Sequence, residues 1–330
     1  MSYVIKDDKR LDEIHHWLKT VFPSTNYTVE PASNDASFRR YFRVTIQNNT
    51  WILMDAPPTQ EDTRSFIEIG TFLYEHGVNV PKIYHRDTKA GFLLLSDFGY
   101  HPYLEQLNVH SADSLYKAAI DSLIKIQLCA TQDINLPAYD NVLLQQEMNL
   151  FPDWFLDKHL NIAIPEFLKT TFDYLISSAL AQPQVIVHRD YHSRNLMHIS
   201  DRSPGIIDFQ DAVIGPISYD LVSLLRDCYI AWPEEKIHHW IDYYFSSAQQ
   251  KGLLPDISIK QFKQWFDWMG LQRHIKVLGI FCRLNYRDGK TNYMNDLPLT
   301  LAYVRKTTAK YSEFSELSTF LQQQSQIAAI

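Results

Sequence analysis

Apolar residues near the start of the chain recur at helical spacing. Leu11, Ile14, Leu18 and Val21 predict an amphipathic helix over residues 7–22. Residues 27–30 then read as a strand, residues 31–37 as a polar loop and residues 39–46 as a second strand. In that strand Phe42, Val44 and Ile46 share one face and Arg39, Tyr41 and Arg43 the other. Residues 51–56 predict a third strand, stopped by Pro57 and Pro58, and residues 61–76 a helix closed by Gly77. Strands at residues 80–84 and 91–95 complete a small sheet-rich lobe, and residues 96–99 read as a connector.

Beyond the connector the pattern is helical, apart from a hairpin at residues 196–207. A helix over residues 111–130 begins at Ser111, a good cap, and buries Leu115, Ala119, Ile126 and Cys129. Residues 271–287 carry two stripes. Leu271, Ile275, Leu278 and Cys282 form an apolar face, and Arg273, Lys276, Arg283 and Arg287 form a basic one. The basic stripe fits a solvated face, and it also fits attraction for an acidic substrate or for phosphates. Phe151, Trp154 and Phe155 read as core, with Trp154 also suited to stacking on a sugar ring.

Composition narrows the class. The chain has 330 residues, 45% of them apolar, enough for a two-lobed globular protein. A net charge of −7 argues against a nucleic-acid binder. Residues 1–10 are charged and lack a signal-peptide core, and no run approaches the ~20 apolar residues of a membrane span. Cys129, Cys228 and Cys282 are an odd set without metal spacing, which fits a reduced, cytoplasmic protein.

The chemistry concentrates in His188-Arg189-Asp190-Tyr191-His192-Ser193-Arg194-Asn195, followed after a turn-rich hairpin by Ile206-Ile207-Asp208-Phe209. A carboxylate five residues before a carboxamide, with a second carboxylate beyond the hairpin, is the layout of a kinase catalytic loop and its metal aspartate. Asp190 is suited to accept a hydroxyl proton, and Asn195 and Asp208 to hold Mg²⁺ on nucleotide phosphates. In a hairpin centred near Asp201 and Arg202, Asn195 and Asp208 fall opposite each other. Arg194 could neutralise charge on the transferring phosphoryl group or tie the loop to the helical lobe. Asp220 reads as a brace for the loop, and Asp211 could face the acceptor. The element order predicts an α+β, bilobal, kinase-like fold. Residues 1–98 form the nucleotide-binding lobe, residues 99–330 the helical catalytic and substrate lobe, and the nucleotide lies in the cleft between them.

His188-Arg189-Asp190 with Asn195, then Ile207-Asp208-Phe209-Gln210-Asp211, Gly215-Pro216 and Tyr219-Asp220-Leu221, resembles the aminoglycoside phosphotransferase and choline kinase superfamily. Within it the chain is similar to bacterial anomeric kinases of N-acetylmuramate and N-acetylglucosamine. The segments that carry this are residues 34–43, 54–58, 91–95 and 151–154, Gln272-Arg273-His274, and Arg287-Asp288-Gly289-Lys290. The resemblance spans almost the whole chain. It implies ATP and Mg²⁺ as cofactors and transfer to the C1 hydroxyl of a free amino sugar in cell-wall recycling. A monomer with no nucleic-acid or membrane partner is expected. Kinases of aminoglycosides, choline or another alcohol, and a nucleotide-binding pseudokinase, are the alternatives.

Two kinase parts are missing. Met54 stands near the place of the third-strand lysine, and Phe66 near that of its glutamate partner, with Glu68 nearby. The phosphate-loop candidate has no glycine; Ser33 and Ser37 are its hydroxyl donors, and Arg39, Arg40 and Arg43 stand next to it as substitutes for the lysine's charge. Leu95 and Asp97, at the connector, are expected to border the nucleotide. Trp154, Asp211 and Arg273 are expected on the acceptor side.

Overall fold

The computed structural model describes residues 8–33 and 38–330. The chain divides into two compact units. One runs to Tyr100 and takes in Gly205–Gln210; the other comprises His101–Pro204 and Asp211–Ile330.

In the first unit, helix α1 (Lys9–Val21) begins where the Asp8 carboxylate accepts the backbone N–H groups of Arg10 and Leu11. Strands β1 (Thr28–Ser33), β2 (Arg40–Ile46), β3 (Asn49–Asp55), β4 (Ile83–Asp87) and β5 (Phe92–Ser96) form one antiparallel sheet in the order β1-β2-β3-β5-β4. Ile14 and Leu18 of α1 are buried in one cluster with Phe42, Val44, Leu53, Phe92 and Leu94. The period-2 face expected of β2 is therefore the core face. The opposite face is not solvated: Arg43 is only 5% exposed, because a carboxylate meets it there. Gly91 opens β5 with φ +78°, and its carbonyl accepts the Ala56 N–H at 2.9 Å. A Cβ at Gly91 would stand 1.9 Å from the Ala56 carbonyl oxygen, so no other residue fits.

Helix α2 (Arg64–Glu75) buries Phe66, Ile67, Ile69 and Leu73 and ends before Gly77, whose φ is +77°. The segment Gly205–Gln210 joins this unit for a physical reason. The Phe209 ring lies 4.9 Å from that of Phe66, a Cβ on Gly70 would touch it at 2.9 Å, and the Ile206 N–H donates to the Asn79 carbonyl at 2.8 Å. The single cut after residue 98 expected from the sequence has no counterpart for this returning segment.

The second unit is mostly helical. Its elements are α3 (Tyr103–Gln106), α4 (Ala112–Leu128), α5 (Asn141–Met148), a π-helical segment Phe151–His159, α6 (Leu168–Leu180), α7 (Tyr219–Leu225), α8 (Glu234–Gln250), α9 (Ile259–Asp288), α10 (Leu297–Lys310) and two short C-terminal helices. Two features differ from expectation. Ser111 does not cap α4: it already has helical dihedrals, and the Asn108 side chain accepts its N–H at 3.2 Å. A two-stranded pairing also appears where only helix was expected, Gln184–Val187 (β6) antiparallel to Val213–Pro216 (β7).

Helix α9 is the spine of this unit and packs on α6, α7, α10 and the π-helical segment. Every residue from 265 to 279 is buried, which marks a core helix. The basic stripe is accordingly no solvated face. Arg273 is 4% and Lys276 7% exposed, and only Arg283 and Arg287 reach the surface. Gly279 lets the Leu150 backbone approach α9 closely; a Cβ there would stand 2.2 Å from the Leu150 carbonyl oxygen. Backbone cannot swing aside as a side chain can. Gly279→Ala should therefore destabilise the protein by about 3 kcal/mol, at the upper end of overpacking costs. A melting temperature equal to that of the unsubstituted protein would contradict this close crossing.

Candidate active site

The loop His188–Asn195 lies in the second unit, between β6 and the two-residue strand Leu196–Met197. It has no ladder partner, so its backbone donors need other acceptors. Helix α7 supplies them from both of its ends. At the first turn, the buried Asp220 carboxylate accepts the His188 N–H at 2.7 Å and the Arg189 N–H at 3.0 Å, one on each oxygen. Just past the last turn, Asp227 accepts the Ser193 N–H at 3.0 Å and the Ser193 hydroxyl at 2.5 Å. Within the loop, Asp190 donates its N–H to His188 Nδ1 at 3.3 Å, and the Asn195 amide donates to the Asp190 carbonyl at 3.0 Å. The Tyr191 hydroxyl donates to the Ala119 carbonyl of α4 at 2.8 Å.

Arg189 sits at φ +76°, a left-handed conformation that costs a non-glycine residue roughly 1 kcal/mol or more. Asp208, in the first unit, has φ +67°, and Gln210 Nε2 donates to its Oδ1 at 2.7 Å. Left-handed backbone thus occurs at Asp208 itself and at the residue immediately before Asp190.

The electrostatics of the loop favour a charged Asp190. Burial works to raise its carboxyl, but the fields of His192, Lys276, Arg273 and His188 outweigh it and hold the group below the usual carboxylate range. Asp220 goes the other way. Burial and the Asp190 charge push it up to about 7, against the two backbone N–H bonds that favour its ionised form. His192 is driven down by burial, and its ring meets Tyr229 edge-on at 5.3 Å.

The remaining expected residues fall into three groups. Arg194 stays 43% exposed, with its guanidinium stacked 3.5 Å above the Tyr229 ring and 3.9 Å from Asp296; it leans on the helical unit. Trp154 is half-buried in the π-helical segment between the fully buried Phe151 and Phe155, and the Asp211 side chain is exposed. Arg273 lies inside the core with Nη1 3.5 Å from the Cys228 sulfur. Arg273 is thus buried, and its charge acts on Asp190.

In the first unit Met54 is fully buried, Phe66 packs on Phe209 and Glu68 is exposed, so apolar contacts occupy the place of the missing lysine–glutamate pair. The three arginines are matched to carboxylates. Arg39 pairs with Glu61 at 3.2 Å, Arg40 with Asp55 at 2.6 Å and with Asp8, and Arg43 with Asp97 at 2.5 Å. Arg43 also donates to the Gly99 carbonyl and stacks on Tyr100. The Arg43 and Asp97 side chains are 6% and 4% exposed and form a buried strut at the connector. Leu95 is buried in β5. Ser37 lies outside the described residues, and Ser33 is described only as the last residue of β1.

Asp227 and Glu147 belong to the loop's surroundings without having been expected there, and Lys276, expected only as part of a basic stripe, joins them. Asp227 carried one usable signal: it stands seven residues after Asp220, two helical turns on. Asn195 and Asp208 offer oxygen donors, the type that suits a hard cation. Among the described residues no cluster of three or more His, Cys, Asp or Glu side chains could hold a metal. Likewise no described helix is long and apolar enough to cross a membrane.

Comparison with known proteins places these features. The model of the phosphotransferase enzyme family matches residues 28–254. The N-acetylmuramate/N-acetylglucosamine kinase of Pseudomonas aeruginosa is 42% identical, over 96% of this chain and 97% of that protein. A protein of the same description from Neisseria meningitidis is 40% identical, over 95% of each. Among solved structures, Plasmodium vivax ethanolamine kinase superposes with a TM-score of 0.65 at 14% identity, covering 92% of this chain and 91% of that one. The choline kinase LicA of Streptococcus pneumoniae gives 0.63 at 12%, covering 91% and 99%. These two share the fold.

The double grip of Asp220 is open to test. In Asp220→Asn only one oxygen remains, so one of the two loop N–H groups faces an amide NH₂ and loses its acceptor. A buried donor left unmet costs about 1–3 kcal/mol. Urea unfolding should show that loss at an unchanged slope, and an unaltered midpoint would contradict the grip.

Proposed function

The chain belongs to the phosphotransferase enzyme family, and from that premise we propose that it is an ATP-dependent kinase that phosphorylates the anomeric hydroxyl of N-acetylmuramate and N-acetylglucosamine. The observation that carries this reading is the placement of Asp190: a charged carboxylate on a loop fixed at both ends, in a chain 42% identical to a kinase of that description over nearly its whole length. We place it as a cytoplasmic monomer in the recycling of cell-wall sugars.

Asp190 accepts the proton of the C1 hydroxyl as that oxygen bonds to the γ-phosphorus of ATP and the bond to the β-γ bridging oxygen breaks. ADP leaves with the released electron pair, and the sugar 1-phosphate carries the new ester. Because Lys276 and Arg273 keep Asp190 ionised, the base is ready at neutral pH. Asn195 and Asp208 would hold Mg²⁺, which when bound offsets the charge on the phosphate oxygens. Arg194, exposed and held by the Tyr229 ring, is our candidate for steadying the transferring group. In place of the absent lysine we keep Arg39, whose pair with Glu61 is the longest of the three arginine pairs at 3.2 Å. Ser33, Ser37 and Leu95 complete the nucleotide side. Asp211 and Trp154, both solvent-accessible, are the acceptor-side candidates.

Asp190→Asn should lower kcat by about 10²–10⁴-fold with ATP affinity almost intact, since the base acts in the transition state. Turnover near the unsubstituted rate would rule out Asp190 as the base.

The acceptor is tested with the two free sugars and their methyl glycosides. Both free sugars should yield an acid-labile product whose NMR spectrum shows phosphorus coupled to the C1 proton. The glycosides, lacking the nucleophile, should not react. Phosphorylated glycosides, or good turnover of an amino alcohol with neither sugar accepted, would replace the reading with that of another alcohol kinase.

A further inference from the structure

Glu147 stands on α5, outside every motif described above, yet its carboxylate is the hub of a buried polar group. Oε1 meets Arg189 Nη2 and, at 2.8 Å, Lys276 Nζ of α9. Oε2 accepts the Tyr139 hydroxyl, which in turn accepts from Gln272 Nε2 of α9 at 3.4 Å. Lys276 also donates to the Tyr219 hydroxyl of α7 at 3.0 Å. Glu147 is 6% exposed and Lys276 7%. Burying these charges is costly unless geometry compensates, and here the compensation converges on one residue of the loop. Arg189 carries the left-handed backbone immediately before Asp190, and its guanidinium also donates to the Asp211 carbonyl at 3.4 Å. Asp220 grips the same residue from the other side through its N–H. Side chain and backbone of Arg189 are thus pulled by two different carboxylates.

We propose that Glu147, oriented by Lys276 and Tyr139, is a positioning residue for phosphoryl transfer. It anchors Arg189 and so holds the strained turn that presents the Asp190 carboxylate. Glu147 touches neither substrate nor nucleotide in this role and acts through Arg189. The proposal deepens the kinase reading and rests on it for its kinetic arm.

The test uses the full-length protein with Glu147→Gln and Lys276→Met combined. The two changes remove opposite charges, so the net charge of the buried group is preserved while the anchor is lost. Amide hydrogen exchange at residues 189–192 should quicken about tenfold with α8 and α10 unchanged. In the same variant kcat should fall about 10²-fold, as a small misplacement of a reacting group does. KM for ATP and sugar should move less than about twofold. Arg189→Lys, which keeps the cation but loses the planar fork, is the second variant should melting show the first unfolded; it should give the same two effects. Unchanged exchange in the loop, or an unsubstituted-level kcat in a variant whose loop amides are exposed, overturns the proposal. The unsubstituted protein in the same assay reads the acceptor assignment separately: no turnover of either sugar sinks that assignment, while the exchange arm still judges Glu147.

Discussion

The loop that carries Asp190 is a stretch of irregular backbone inside a helical unit, and its buried N–H groups must find acceptors. Helix α7 meets that demand. It is only seven residues long, and a carboxylate stands at each end: Asp220 takes the N–H groups of His188 and Arg189, and Asp227 takes Ser193 by backbone and hydroxyl. With both ends held, the turn between them has little freedom, and the left-handed Arg189 is forced rather than chosen. α9 adds the third constraint from beneath. It brings Lys276 to Glu147, which holds the Arg189 side chain, and it brings Arg273, whose buried charge favours ionised Asp190. The charges that look like surface decoration on α9 are part of the foundation of the loop.

The first unit handles charge differently. Where a kinase of the usual kind carries a lysine and a glutamate, this chain has Met54 and Phe66, both buried, with Phe66 against Phe209 next to Asp208. An apolar contact thus braces the segment that bears the aspartate. The arginines of β2 and its approach are closed into pairs with Glu61, Asp55 and Asp97. Arg43 and Asp97 alone among these pairs are both almost fully buried, and a buried pair of this kind adds little net stability. Arg43 with Asp97, stacked on Tyr100 and bonded to the Gly99 carbonyl, pins β2 to the connector.

Much of this was readable along the chain. Alternation in β2 named its core face, the spacing of Ile14 and Leu18 found α1, and Gly77 marked the end of α2. The loop was found because Asp190, Asn195 and Asp208 are chemically distinctive at fixed spacing. Other parts are silent along the chain for physical reasons. β6 (Gln184–Val187) holds only three consecutive apolar residues, Val185, Ile186 and Val187, and so short a run reads equally as helix interior. Lys276 and Arg273 recur at helical spacing, which signals a shared face but cannot say whether that face meets water or a buried carboxylate. Glu147 is one acid on a short helix, and its charged partners lie 42 residues away at Arg189 and farther still on α9. The Ser111 cap failed because its hydroxyl donates to the Gln106 carbonyl at 2.7 Å and accepts the Asn108 N–H at 3.0 Å, and its dihedrals are already helical.

The central claim is that this loop exists to hold one carboxylate against the anomeric hydroxyl of an amino sugar. A structure of the protein with a non-hydrolysable ATP analogue and N-acetylglucosamine tests it most directly. The account places an Asp190 carboxylate oxygen about 2.6–3.2 Å from the C1 hydroxyl oxygen, within hydrogen-bond reach. A sugar bound with another hydroxyl facing Asp190, or a C1 hydroxyl met by a different side chain, would contradict it.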